Sequence, residues 1–159
     1  MAYWLFKSDA DCYPFATLMA EPQRTTGWDG IRNYQARNFL RDDVQVGDSV
    51  LFYHSNGEPP CIAGIAEVVR GAHPDPTAFD RDAQHYDPKS DPSNPTWYQV
   101  SIKGIREFNP PLELPFLKTV SELDGMVLLR KGSRLSVQPV TESEWKTILS
   151  LAKTKTKRS

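Results

Sequence analysis

The sequence carries almost no surplus charge: 19 basic residues face 20 acidic ones, for a formal net charge of -1. A protein that coats nucleic acid through bulk charge needs a large positive excess. Any nucleic-acid partner of this chain must therefore be gripped by a local patch or a pocket. Cysteine is nearly absent. Cys12 and Cys61 form no CxxC pair, so a disulfide framework is excluded and both read as buried or half-buried thiols. The histidines His54, His73 and His85 are scattered, with no ligand spacing for zinc. No apolar run approaches the ~20 residues that cross a bilayer. The N-terminal stretch lacks the basic-then-apolar pattern of a signal peptide, so the expected location is inside a cell. There is no GxxxxGK[ST] loop, no GxGxxG and no GxSxG elbow. The sequence thus offers no catalytic motif, and neither a cofactor nor a metal is expected.

What is present is an ordinary globular composition, 39% hydrophobic and 25% charged over 159 residues, which suits one domain. Residues 3–7 are aromatic and apolar and read as a strand. Pro14 can open a short helix reaching Met19. Gly27, Asp29 and Gly30 punctuate a turn around Trp28. Residues 32–44 read as a helix, with Ala36, Phe39 and Leu40 at core spacing. Residues 49–55 and 61–70 read as antiparallel strands across an Asn56-Gly57 turn, and Ala63, Gly64 and Ala66 call for another element packed close. A long polar loop spans 73–95. Its acidic residues Asp75, Asp80, Asp82, Asp87 and Asp91 read as a solvated surface, and its Phe79 and Tyr86 as packing against something. A strand over 97–108 buries one face. A helix over 114–123, a short strand over 127–130 and a turn or strand end over 135–139 follow. A capping box, Thr141 to Glu144, opens a helix whose apolar face holds Trp145, Ile148, Leu149 and Ala152. Residues 1–152 form the expected domain and 153–159 a basic, frayed tail. The mixture predicts an α+β fold, a small curved mixed sheet approaching a barrel and flanked by helices.

Aromatic residues stand repeatedly beside polar ones. Trp4 and Phe6 precede Lys7-Ser8-Asp9, and Phe52-Tyr53 precede His54-Ser55. Trp4, Phe6 and Phe52 are explained by a core. Trp28, held in a turn between glycines, is better explained as the wall of a pocket for a flat ligand. An aromatic face stacks on a base for about 1–3 kcal/mol, while nearby polar groups read its edge.

The strings Trp28-Asp29-Gly30-Ile31-Arg32-Asn33-Tyr34-Gln35-Ala36-Arg37-Asn38, Phe52-Tyr53-His54-Ser55-Asn56, His85-Tyr86-Asp87-Pro88 and Leu135-Ser136-Val137-Gln138-Pro139 occur in that order. Together with residues 4–8 they make the chain resemble the EVE domain family over residues 3–151. The resemblance implies a PUA-like fold related to YTH domains, which hold a methylated adenine in an aromatic cage. It further implies a non-catalytic module that binds DNA or RNA and holds a flipped, modified base. Trp28 would be a cage wall, and Lys7, Ser8 and Asp9 the groups at the base edge. Asn33, Tyr34, Tyr53, His54 and Ser55 would add lining, and Tyr86, Asp87 and Pro88 a lid. Arg32 and Arg37 would steady flanking phosphates. Where the family has Ser-Glu-Pro, this chain has Ser8-Asp9-Ala10, which shortens the carboxylate and frees the backbone of Ala10. Two other readings use the same residues. One is an ASCH-like enzyme acting on nucleotides or RNA, with Lys7, Asp9 and His54 as acid–base groups. The other is a small-molecule sensor. A monomer is expected, cytoplasmic in a bacterium and possible in a nucleus in a eukaryote, without membrane association.

Overall fold

A computed structural model describes residues 2–130 and 135–158, with 154–158 described as backbone only. In chain order the elements are β1 (Tyr3–Ser8), α1 (Phe15–Ala20), β2 (Thr25–Gly27), α2 (Tyr34–Asn38), β3 (Ser49–His54), β4 (Cys61–Pro74), β5 (Tyr98–Glu113), α3 (Leu114–Leu117), β6 (Val137–Val140) and α4 (Glu142–Arg158). The six strands form one mixed sheet in the order β2-β5-β4-β3-β1-β6. β1 runs parallel to β3 and antiparallel to β6, and the remaining neighbours are antiparallel. The long β4–β5 ribbon changes register at four places, and such irregularities bend and twist a sheet. The sheet is therefore strongly curved yet open, the PUA-like α+β architecture that the sequence predicts.

Alternation along the strands divides the core in two. Trp4, Phe6, Val50, Phe52, Val100 and Ile102 face α1, α2 and Trp28. Leu5, Leu51, Tyr53, Ile62 and Leu112 face α3 and α4, where Leu117, Trp145 and Ile148 complete the second core. Gly64 lets Phe15 lie directly on β4: an added Cβ would sit 2.7 Å from its ring. Buried Asp48 accepts from the Trp4 indole and from the backbone N–H groups of Ala2 and Gln45, at 2.9–3.0 Å. That carboxylate fixes the start of β1 against the turn that enters β3.

Several elements depart from the sequence reading. The helix expected over 32–44 begins at Tyr34, because extended Asn33 caps it, its side chain accepting from the N–H of Ala36. It then widens into a π-type turn over Phe39–Asp43. The helix expected over 114–123 is two short pieces, α3 and a 3-10 turn at Ser121–Leu123. The strand expected over 127–130 is a 3-10 turn that buries Leu128, since a short apolar run does not distinguish strand from helical turn. β2 went unrecognised at three residues. The capping box is formed as expected: Thr141 N–H donates to Glu144 and Glu144 N–H to Thr141 Oγ. The helix it opens continues through Arg158, over most of the basic tail. Cys61 is buried, but Cys12 is exposed and departs from the expectation for both thiols.

Candidate functional site

A cleft of about 380 Å³ opens where three stretches of chain meet, within the roughly 300–1,000 Å³ range of ligand sites. The end of β1 supplies Lys7, Ser8 and Asp9, and the turn beyond it Cys12 and Tyr13. The passage from β2 toward α2 supplies Thr26 to Ile31. His85 of the long loop and Ser136 before β6 close the remaining sides. Because β1 pairs parallel with β3 and antiparallel with β6, its C-terminal end is fixed from both sides.

Trp28 belongs to the core and to the cleft at once. Its backbone N–H donates to the carbonyl of Val100 at 2.7 Å. Its ring packs against Phe6, Phe52 and Tyr13 at 5.4–6.1 Å between centroids and keeps 7% of its surface exposed. The half-buried Tyr13 ring meets Trp28 edge-on, so two aromatic walls adjoin. Burial pushes the Tyr13 hydroxyl up from its ordinary pKa and pulls the Lys7 ammonium down.

The far wall is set by Asp75, which is fully buried. Its carboxylate accepts from the Gly30 N–H, the Arg32 guanidinium, and the Thr77 N–H and hydroxyl, at 2.6–3.0 Å. Burial raises its pKa, but these hydrogen bonds outweigh burial and hold the carboxyl below its ordinary range. Gly30 has φ +77°, and an added Cβ there would lie 2.7 Å from the His85 ring. Only glycine allows that approach, which brings the imidazole to the cleft. Beside it, burial and then the nearby Asp75 charge push the Asp29 carboxyl up, against smaller opposing effects of His85 and Arg32.

The structure gathers Lys7, Ser8, Asp9 and Trp28 in this cleft and places the other expected site residues elsewhere. Asn33 caps α2. Tyr34 is 61% exposed and stacks on Trp97 at 5.0 Å. Tyr53 lies in the second core, across the sheet, because residue parity turns it away from Phe52. There burial pushes its hydroxyl up to about 12. His54 Nε2 accepts from the Phe15 N–H at 3.0 Å and lines a separate apolar cleft with Cys61. Ser55 donates through backbone and hydroxyl to the Ser8 carbonyl, which steadies the site from behind. Tyr86 and Pro88 are exposed on the loop, while Asp87 accepts from the Trp97 indole. Of that string, His85 reaches the cleft.

The arginines are also used differently from the expectation. Arg32 has five N–H donors, and all five are engaged, by Ile31, Asp75, Thr77 and twice by the His85 carbonyl. It is a clamp between α2 and the loop and has no donor left for a phosphate. Arg37 spends three on Asn38 and Thr96 and lies over the Tyr34 ring. The loop carboxylates are less solvated than expected, since Asp75 and Asp87 tie the loop down. No group of three or more metal-ligating side chains occurs among the described residues. Among them, too, no helix is long and apolar enough to cross a membrane.

Of the expected residues Lys7, Ser8, Asp9 and Trp28 line the cleft, together with others that the strings did not single out. Tyr13, Thr26, Asp29, Ile31, His85 and Ser136 line the cleft and were not singled out. Asp29, Ile31, His85 and Ser136 lie inside the quoted strings, so the signal was there without the side-chain direction that decides it.

The open, curved, mixed sheet flanked by helices is that of a PUA-like α+β domain. The EVE domain model matches residues 2–151, and the chain belongs to the EVE domain family. It is 39% identical to human thymocyte nuclear protein 1 over 167 residues, covering 94% of this chain and 73% of that protein. A protein from Leishmania major superposes with a TM-score of 0.92 at 42% identity, covering 98% of this chain and 97% of the other. The human THYN1 protein in complex with DNA containing 5-methylcytosine superposes with a TM-score of 0.89 at 39% identity, covering 96% and 98%.

Proposed function

We propose that this protein is a non-catalytic reader that holds a modified base, turned out of its strand, in the cleft beside Trp28. The observation that carries the reading is the cleft itself. It joins the Trp28 and Tyr13 rings to Lys7, Asp9 and Asp29 in a space of ligand size. Stacking and edge recognition need that combination, and extruding a base costs a few kcal/mol that such contacts repay. The human relative solved with DNA containing 5-methylcytosine makes modified DNA the first partner to test. Of the basic residues expected at phosphates, Arg37 keeps two uncommitted N–H donors and is the one assigned to the flanking backbone. The acid–base set Lys7, Asp9 and His54 is split between two clefts, which favours binding over catalysis.

The test is titration of matched oligonucleotides, modified and unmodified at one position, against the protein and its Tyr13→Ala and Trp28→Phe variants, with folding checked by circular dichroism. The expected result is preference for the modified strand, reduced in both variants. Equal and weak binding to both strands, unchanged by either substitution, refutes the reading.

A further inference from the structure

Three carboxylates surround the cleft, and two are already occupied. Asp75 accepts four hydrogen bonds. Asp9 accepts from the Asp11 N–H and the Asn56 amide through one oxygen, in a knot that also engages Ala10. Asp29 lines the cleft and accepts no hydrogen bond among the described residues. Its backbone is nonetheless fixed. Three successive N–H groups are committed, Trp28 to Val100, Asp29 to Gly27 and Gly30 to Asp75. The side chain is thus carried on a rigid segment, as specificity requires. Burial raises its pKa without a hydrogen-bond donor to offset it, and a donor from a ligand would supply that offset.

We infer that Asp29 selects the base: its carboxylate accepts the exocyclic amino group of a cytosine-type base and rejects thymine-type bases. The inference rests on the base-holding function proposed above. A carboxylate is an acceptor only. It pairs with the N4 amino group of cytosine, whereas thymine presents the O4 carbonyl at that place. Two acceptors then face each other in a partly desolvated site, and discrimination arises from that repulsion as much as from the favourable bond. The 5-methyl group is common to 5-methylcytosine and thymine, so the apolar walls at Trp28 and Ile31 do not separate them. Asp29 does.

The experiment compares single-stranded oligonucleotides identical except for one central position, 5-methylcytosine or thymine. The wild-type protein should prefer 5-methylcytosine by on the order of tenfold or more. Asp29→Asn should bring the two affinities close to equal, because its amide offers a donor or an acceptor. Asp29→Ala should lose affinity for 5-methylcytosine without gaining any for thymine. If both variants fold and keep the wild-type ratio, Asp29 is not the selector, and the base-holding function stands. If the wild-type protein favours no modified strand over its unmodified counterpart, the base-holding function fails, and the selector role fails with it.

Discussion

The two faces of the sheet are built from the same kinds of residue and are covered differently. On the face toward α4, Leu5, Leu51 and Tyr53 meet Leu117, Trp145 and Ile148, and a long amphipathic helix closes the layer. On the other face, Phe6 and Phe52 meet Phe15 and Trp28, and the covering pieces are short: a helix of six residues, another of five that widens into a π-type turn, and the turn that carries Trp28. Short pieces leave an edge open, and the cleft lies at that edge. Aromatic content alone therefore does not mark the site. What distinguishes the face that carries the cleft is that its cover is discontinuous.

The two faces should respond unequally to a pair of neighbouring truncations. Phe52→Ala and Leu51→Ala should each cost about 3–5 kcal/mol in urea unfolding, since both remove fully buried side chains. Only Phe52→Ala should also weaken oligonucleotide binding, through the loss of support for Trp28; equal binding losses would erase the distinction between the faces. Next in size, Asp75→Ala should cost about 3 kcal/mol by stranding the Arg32 guanidinium and the Gly30 N–H. The same change should speed amide exchange at Gly30, measured by hydrogen exchange.

A smaller effect should follow pH. His54 must be neutral for Nε2 to accept from Phe15, and burial holds its pKa below the ordinary value. The folded state thus binds that proton less readily than the unfolded chain, whose His titrates near roughly 6.5. This contribution to stability is complete above that pH and is lost as pH falls from there through the folded pKa. His54→Gln should flatten the decline seen in thermal melts across that window. The smallest effect should have the opposite sign. The raised Asp29 pKa means that its ionised form is disfavoured in the folded protein. Asp29→Asn should therefore raise the melting temperature slightly at neutral pH while impairing base selection, the usual exchange of stability for function. A lowered melting temperature would show that Asp29 is structural.

Much of this was legible before any coordinates. Strand patterning gave β1, β3, β4 and β5, because half-buried strands alternate. The Thr141 capping box gave the start of α4, because cap chemistry is local. The segment containing Trp28 stood out because a large ring between glycines is hard to place. Three things were not legible. Which residues of β3 face the cleft side depends on the phase of its alternation, and that phase puts Tyr53 in the core opposite Phe52. The commitment of Arg32 to Asp75 and to the His85 carbonyl spans 43 and 53 residues of sequence, which no local pattern encodes. β2 is held by pairing with β5 rather than by its own composition, so three residues, Thr25–Gly27, left no period to detect.

The position of β1 bears on how the site comes into being. Lys7, Ser8 and Asp9 are made well before the partners of their strand: Phe6 pairs with Phe52 of β3 and, far later in the sequence, with Val137 of β6. Pairings of such long range are the slow ones in folding. During synthesis the first strand must wait with an apolar edge unpaired, the condition that invites aggregation or chaperone capture. The wall of the cleft that β1 and Ser136 build is thus completed only once β6 has been made.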